Sequence, residues 1–246
     1  MGQHVLLNNV DHHDLRLISR HGAAFGDNVN QVLIFPSEYI EIQRHYPIFF
    51  RQTEAGGFKS VALLGFDKDE NLFLEGDRWH AAYVPAMQRM GPFLIGQPKA
   101  APGETLPPDA GALILVDTDH PRLSRDEGEP LFRAQGGQSA TLTEVTRTLH
   151  QIYAGSMISD GMFAAFHEAG LLAPVEIEVK VGERQSYILK DMLTVSGEAL
   201  HKLDADHLKA LNDAGFLSLA FAVVSSMSNL GHLIDLKTSR GAVAAA

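Results

Sequence analysis

TLTEVTRTLHQIYAGSMISDGMFAAFHEAG, residues 141–170, is the stretch on which the fold class turns. Upstream of it the apolar residues come in short branched or aromatic runs, whereas here they recur at helical spacing. It opens on Thr141-x-x-Glu144, the pattern of a capping box, and stops at Gly170. Gly155 and Gly161 predict a break into two helices. Toward the N-terminus, VLIF (32–35), PIFFRQ (47–52), SVALLGF (60–66), NLFLEG (71–76), PFLIG (92–96) and ALILVD (112–117) read as strands of a mostly antiparallel sheet. DKDE (67–70) is a polar turn of hairpin length, so SVALLGF and NLFLEG are expected to pair. PSEYIEIQRH (36–45) predicts a short helix, and the proline-rich QPKAAPGETLPPDAG (97–111) a surface loop. Toward the C-terminus, PVEIEVKV and SYILKDM (174–192) form a hairpin. Asp204 and Asp206 lead into a helix over 207–215, and a last apolar helix runs to about 235. The expected class is α+β, with a β-rich N-terminal half (about 1–135) packed with a helical C-terminal half (about 136–236) containing one hairpin. Together they make one domain over 1–236, followed by a flexible tail, 237–246.

Composition narrows the function classes. With 246 residues, 45% hydrophobic and 20% charged, the chain can bury its own core. A formal net charge of −10 repels phosphate backbones and anionic lipid, so neither nucleic acid nor a membrane surface is an expected partner. No cysteine occurs, which excludes disulfides and thiolate chemistry. The first residues carry no basic leader followed by an apolar core, and GFLSLAFAVVSSM (215–227) is shorter than the roughly 20 residues a span requires. The expected location is the cytoplasm.

Twelve histidines invite a metal reading. In DHHD (11–14), His12-x-Asp14 has the spacing of two facial-triad ligands for non-haem Fe(II), with His80, His120 or His150 as a distant third. A capped turn is the plainer reading, and no cofactor is expected. DKDEN (67–71) places Asp67, Asp69 and Asn71 at the first calcium-loop positions, but Leu72 stands where glycine is required and Arg78 where the bidentate glutamate belongs. Asp117, Asp119 and His120 in DTDH (117–120) follow a strand, where carboxylates also serve turns. Nucleophile-elbow, P-loop and dinucleotide motifs are absent, although His12, His150 and His167 are available as bases.

RWHAAYVPAMQRMGPF (78–93) holds the chain's only tryptophan among prolines, arginines and a tyrosine. Trp79 and Tyr83 bring rigid apolar area with one polar tip each, and Arg78 and Arg89 suit a carboxylate or an aromatic face. This stretch, with HYPIFF (45–50), ALLGFDKDENLFLEGDRWHAAYVPAMQR (62–89), EPLFRAQGGQSATL (129–142), LKALNDAGFLSLAFAVVSSMSNLGHLIDL (208–236) and HHDLR (12–16), resembles the SapC family of bacterial proteins. The family name is tied to bacterial surface layers, and members are often labelled as transporter permeases. Their neighbourhood with outer-membrane receptor, cupin-like oxygenase and flavin halogenase genes implies an accessory role. Arg89-Met90-Gly91-Pro92-Phe93 departs from the family's Arg-Tyr-Pro-Phe. The resemblance implies a ligand platform of Arg78, Trp79, Tyr83 and Arg89, with Tyr46 and Phe49 nearby and Ser225, Ser228 and Asn229 facing the same cavity. The expected function is a soluble accessory protein that binds a small molecule, a peptide or a partner enzyme without chemistry of its own, its oligomeric state left open with a homodimer among the options. A metal-dependent, oxygenase-like enzyme and a surface-layer assembly protein are the alternatives.

Overall fold

The alternation of PIFFRQ and SVALLGF places their side chains on both faces of a sheet, and both faces are covered. The computed structural model describes residues 4–96, 113–181 and 185–244. Its main sheet has the order β12-β13-β4-β5-β3, built from β3 (Gln31–Ile34), β4 (Ile48–Gln52), β5 (Phe58–Leu63), β12 (Leu172–Val181) and β13 (Gln185–Val195), all antiparallel. Neighbouring strand residues point to opposite faces, yet Phe49 and Phe50 are both fully buried. The helix α3 (Ala140–Glu168) lies on the Phe50 side, its Phe163 ring edge-on to Phe50 at 5.0 Å. The helix α6 (Leu217–Ser226) is tied to β4 where the Ser226 hydroxyl accepts from the Ile48 N–H at 3.0 Å. Because β12 and β13 come from the second half of the chain and complete the sheet begun in the first, the two halves share one core.

A smaller core packs around Phe93, Val116, Leu131 and Leu142. It is roofed by a second sheet, β1 (His4–Leu6) against β9 (Leu113–Asp117) against β8 (Phe93–Gly96). Beside it, β2 (Arg16–Leu17) is flanked by β10 (Leu123–Ser124) and β11 (Glu129–Pro130). A short ribbon pairs β6 (Leu74–Glu75) with β7 (Arg78–Trp79), and the remaining helices are α1 (Tyr39–Ile42), α2 (Ala86–Arg89), α4 (Gly197–His201), α5 (Ala205–Asp213) and α7 (Asn229–Ala244). The expected loop over 97–111 lies outside the described residues.

Several expectations are corrected. SVALLGF does not pair with NLFLEG but sits between PIFFRQ and VLIF. Residues 67–72 instead fold back as a loop: the Glu70 carboxylate accepts the Phe66 and Asp67 N–H groups, and Asn71 bonds the Asp27 carbonyl at 2.8 Å. Side-chain bonds thereby replace the ladder that a hairpin would have supplied. Gly155 and Gly161 do not break α3. The helix passes through both, and Gly155 is where it closes on Phe35 and Ser37 of the preceding 3-10 turn. Its cap is Ser139, accepting the Leu142 N–H at 3.2 Å, while Glu144 pairs with Arg147 instead of closing a capping box. The last apolar segment is two helices, interrupted at Met227–Ser228, and the stretch expected as a tail continues α7 to Ala244. By length and composition Leu217–Gly241 matches a membrane-crossing helix, with 33% of its most apolar window buried inside the protein.

Candidate functional site

The aromatic stretch is brought together by three elements entering one corner. Ribbon β6–β7 delivers Trp79, the turn after α1 delivers Tyr46, and α2 begins just past Tyr83. Trp79 Nε1 donates to Tyr46 Oη at 2.7 Å, and that hydroxyl donates onward to the Tyr83 carbonyl at 2.5 Å. Tyr83 Oη donates to Glu38 Oε2 at 2.9 Å, and the Ala86 N–H reaches the same oxygen at 2.8 Å. The Phe35 N–H supplies the other oxygen at 3.2 Å. Arg89 lies 4.9 Å over the Tyr83 ring and donates to Tyr83 Oη at 2.8 Å, to Gln151 Oε1 at 3.0 Å and to the Val84 carbonyl at 2.9 Å. Every polar tip in the group has a partner within the protein, and such a closed network fixes geometry. Burial raises the Glu38 pKa, an effect that the Ala86, Tyr83 and Phe35 donors and the nearby Arg89 only partly offset. Burial and the Glu38 charge push the Tyr83 phenol up to about 12.

The other expected residues are placed differently. Asn229 borders the network, donating to the Gln43 carbonyl at 2.8 Å and to the Tyr46 carbonyl at 3.3 Å. Phe49 is buried in the main core, and Arg78 and Ser225 face solvent. Ser226, one position on, is the serine that reaches inward. Glu38, Gln151 and Thr148, whose hydroxyl accepts from Arg89 Nη1 at 3.4 Å, were not expected in the network. The only signal for Glu38 was its place as the third residue after Phe35 in a Pro36-led turn, where a carboxylate reaches back to the chain entering the turn.

A second cluster adjoins the first through His21, whose ring lies 5.4 Å from Trp79. Asp27 is fully buried, and its Oδ2 receives Arg122 Nη2 at 2.6 Å, the Gly22 N–H at 2.9 Å and His21 Nδ1 at 3.2 Å. Oδ1 of the same carboxylate has no partner among the described residues. Burial pushes the Asp27 pKa up, but the His21 and Gly22 bonds and the Arg122 charge outweigh it and hold the carboxyl below its usual range. Arg122 also donates to the Ile18 and Arg20 carbonyls at 3.2 and 2.6 Å, stitching β2 to the segment before β10.

A surface groove of about 1000 Å³ lies where the β4–β5 turn leaves β13. Arg51, Glu54, Lys59, Glu176, Lys190 and Asp191 carry its charges, and Val175, Met192 and Leu193 its apolar surface. A bulge between Val175 and Ile177 shapes it, and Asp191 adopts φ 59°. A non-glycine residue held in that region stores strain. Sequence periodicity gives no sign of this groove, because it arises where strands from opposite halves of the chain meet, Phe50 beside Leu193.

A family model described as SapC matches residues 7–233. The chain belongs to the SapC family. No curated protein and no solved structure gives a match. Within the SapC match, the departure at Met90-Gly91 is a turn: Gly91 takes φ 56° and directs Phe93 into β8 and the second core. His12, Asp14, His80 and His120, candidate metal ligands of this SapC chain, have protein partners. His12 Nδ1 accepts the Asn8 N–H at 3.2 Å, Asp14 pairs with Arg125, and His120 Nδ1 accepts the Arg122 N–H at 3.1 Å. Among the described residues no three His, Asp or Glu side chains are gathered as a metal site. Asp117 accepts the Asp119 N–H at 3.2 Å in an ordinary turn.

Proposed function

We propose that the protein is an accessory binding module acting in the cytoplasm without chemistry of its own, and that it holds a short peptide, or a small molecule resembling one, in the groove beside β13. The peptide can belong to a partner enzyme. The observation that carries this reading is the makeup of the groove. Lys59, Lys190, Glu54, Glu176 and Asp191 are exposed along it, and none has an ion-pair partner among the described residues. Mixed unpaired charge above Val175, Met192 and Leu193 suits a ligand with an amine, a carboxylate and an apolar side chain between them. Backbone polarity adds to it. β4 ends at Gln52 while β13 runs out to Gln185, so an extended chain finds a strand edge to lie along. On this reading the Trp79, Tyr46, Tyr83, Glu38 and Arg89 network is the rigid frame, with Arg78 and the outer edge of Trp79 its exposed remnant.

The test is calorimetric titration of the purified chain with a panel of short linear peptides bearing free termini. Saturable binding of some members is expected, lost in Lys59→Glu/Lys190→Glu and kept in Arg78→Ala. Binding that survives the double charge reversal, or no binding by any member, overturns the groove as the site.

A further inference from the structure

β12 is the outermost strand of the main sheet, and among the described residues no strand pairs with its outer edge. Its first part is protected: Pro174 lacks a donor, and the bulge between Val175 and Ile177 breaks the ladder. From Ile177 outward neither device operates, and Ile177, Glu178, Val179 and Lys180 pair regularly with β13 on their other side. An open, regular edge of this kind is a template for another strand.

We propose that the outer edge of β12 pairs antiparallel with the same edge of a second copy of this chain, about a two-fold axis at Val179, giving a homodimer with one continuous ten-stranded sheet. Charge selects both the partner and the register. Glu176, Glu178 and Lys180 share the solvent face of the hairpin, and all three are exposed. An axis perpendicular to the sheet keeps that face on one side in both copies, so opposed residues must have the same parity. Centring on Ile177 sets Glu176 against Glu178 twice, and centring on Glu178 sets that carboxylate against itself at the axis even as Glu176 meets Lys180. Centring on Val179 sets Glu178 against Lys180 in both directions, the favourable cross-strand arrangement. Val179 is already covered within its own chain on the inner face, so the new contact is made by the strand backbone and by the exposed Glu178 and Lys180. Ile188, cross-strand from Glu178 and 70% exposed, lies beside the new pairs. The inference goes beyond the groove reading and does not depend on it, since Glu178 and Lys180 do not line the groove.

Sedimentation velocity of the full chain over a concentration series is expected to show a species of twice the 26.8 kDa chain mass growing at the expense of the monomer. Lys180→Glu and Glu178→Lys each turn two attractive pairs into two repulsive ones and are expected to weaken the dimer about tenfold. In the Ile177 register Glu178→Lys alone already sets opposite charges together, and in the Glu178 register the double swap sets Glu176 against the new carboxylate at position 180. A dimer weakened by both single reversals and recovered in the double swap Glu178→Lys/Lys180→Glu therefore identifies the Val179 register. All these positions are exposed, and unchanged melting temperatures exclude misfolding as the cause. A chain that stays monomeric at every concentration, a dimer indifferent to the single reversals, or a double variant no better than the singles overturns the proposal.

Discussion

Glu38 and Asp27 are both buried carboxylates, yet they shape stability in opposite directions along the pH scale. Burial raises Glu38, so the folded state holds that proton more tightly than the unfolded chain does. The cost of ionising it is absent below the unfolded glutamate pKa of about 4.3 and grows as pH rises from there through the folded value. Glu38→Gln removes the ionisation while keeping an acceptor for Tyr83 and Ala86. The stability of the wild type relative to that variant is expected to fall between pH 4 and 7 in urea unfolding, and a difference independent of pH refutes this. For Asp27 the depressed pKa puts its contribution above the unfolded value, to be lost as pH falls through the folded one. Arg122→Ala leaves the Asp27 charge buried without its cation and is expected to cost about 3–5 kcal/mol at pH 7. That penalty should shrink as pH drops below the ordinary aspartate range, where Asp27 takes up a proton. Neither carboxylate was legible beforehand, since a lone Glu or Asp in a loop shows nothing of what closes over it. Trp79, Tyr83 and Arg89 were legible as a group because rigid side chains with polar tips crowd one short stretch. That their tips would be spent on Tyr46, Glu38 and Gln151 was not, because those partners come from elsewhere in the chain.

At the scale of elements, α3 separates two kinds of helical glycine that look alike in sequence. A methyl group at Gly155 would stand 2.6 Å from Phe35 Cβ and strike Ser37 Oγ, whereas at Gly161 the nearest atom is on the Phe216 ring at 3.9 Å. Gly155→Ala is therefore expected to destabilise by about 1–3 kcal/mol through overpacking. Gly161→Ala, on an exposed helical position, is expected to stabilise by roughly 0.5–1 kcal/mol through helix propensity. Thermal unfolding of both variants checks the pair, and equal effects would mean that contact with the Phe35 turn does not decide the matter. Element types were largely readable: the runs at 32–35, 47–52, 60–66, 92–96 and 112–117 all contain strands, and the hairpin over 174–192 is present. Pairing was not. Adjacency in sequence favoured SVALLGF with NLFLEG, but Leu72 and Phe73 are buried as loop anchors, and the strand partners of SVALLGF lie before it. Local pattern records which face is apolar. The choice among neighbours is made by Glu70 and Asn71 side chains bonding backbone that a ladder would otherwise have used.

The whole molecule is held by contacts between its first and last thirds, and α7 carries the most distant of them. Lys237 reaches Asp67 and Glu70, each at 2.5 Å, and Arg240 caps the Asn71 and Leu72 carbonyls at 3.0 and 3.1 Å. Burial alone would lower the Lys237 pKa, but the two carboxylates more than reverse it, so the lysine stays charged at neutral pH. These bonds secure the loop whose Leu72 and Phe73 plug the core, immediately before ribbon β6–β7 and the Trp79 network. A chain ending at residue 236, where sequence composition suggested only a loose tail, removes both cations at once. It leaves Asp67 and Glu70 without their lysine and the Asn71, Leu72 and Leu74 carbonyls without the Arg240 guanidinium, with an expected cost of about 2–3 kcal/mol. At this chain length that lowers Tm by roughly 4–12 °C, and the Trp79 fluorescence should shift to the red as its corner loosens. Arg240→Ala alone is expected to give a smaller drop in the same direction. A truncated chain that melts with the full one would instead make residues 237–244 a tail in function as well as in composition, and would leave the loop at 67–73 held by Glu70 and Asn71 alone.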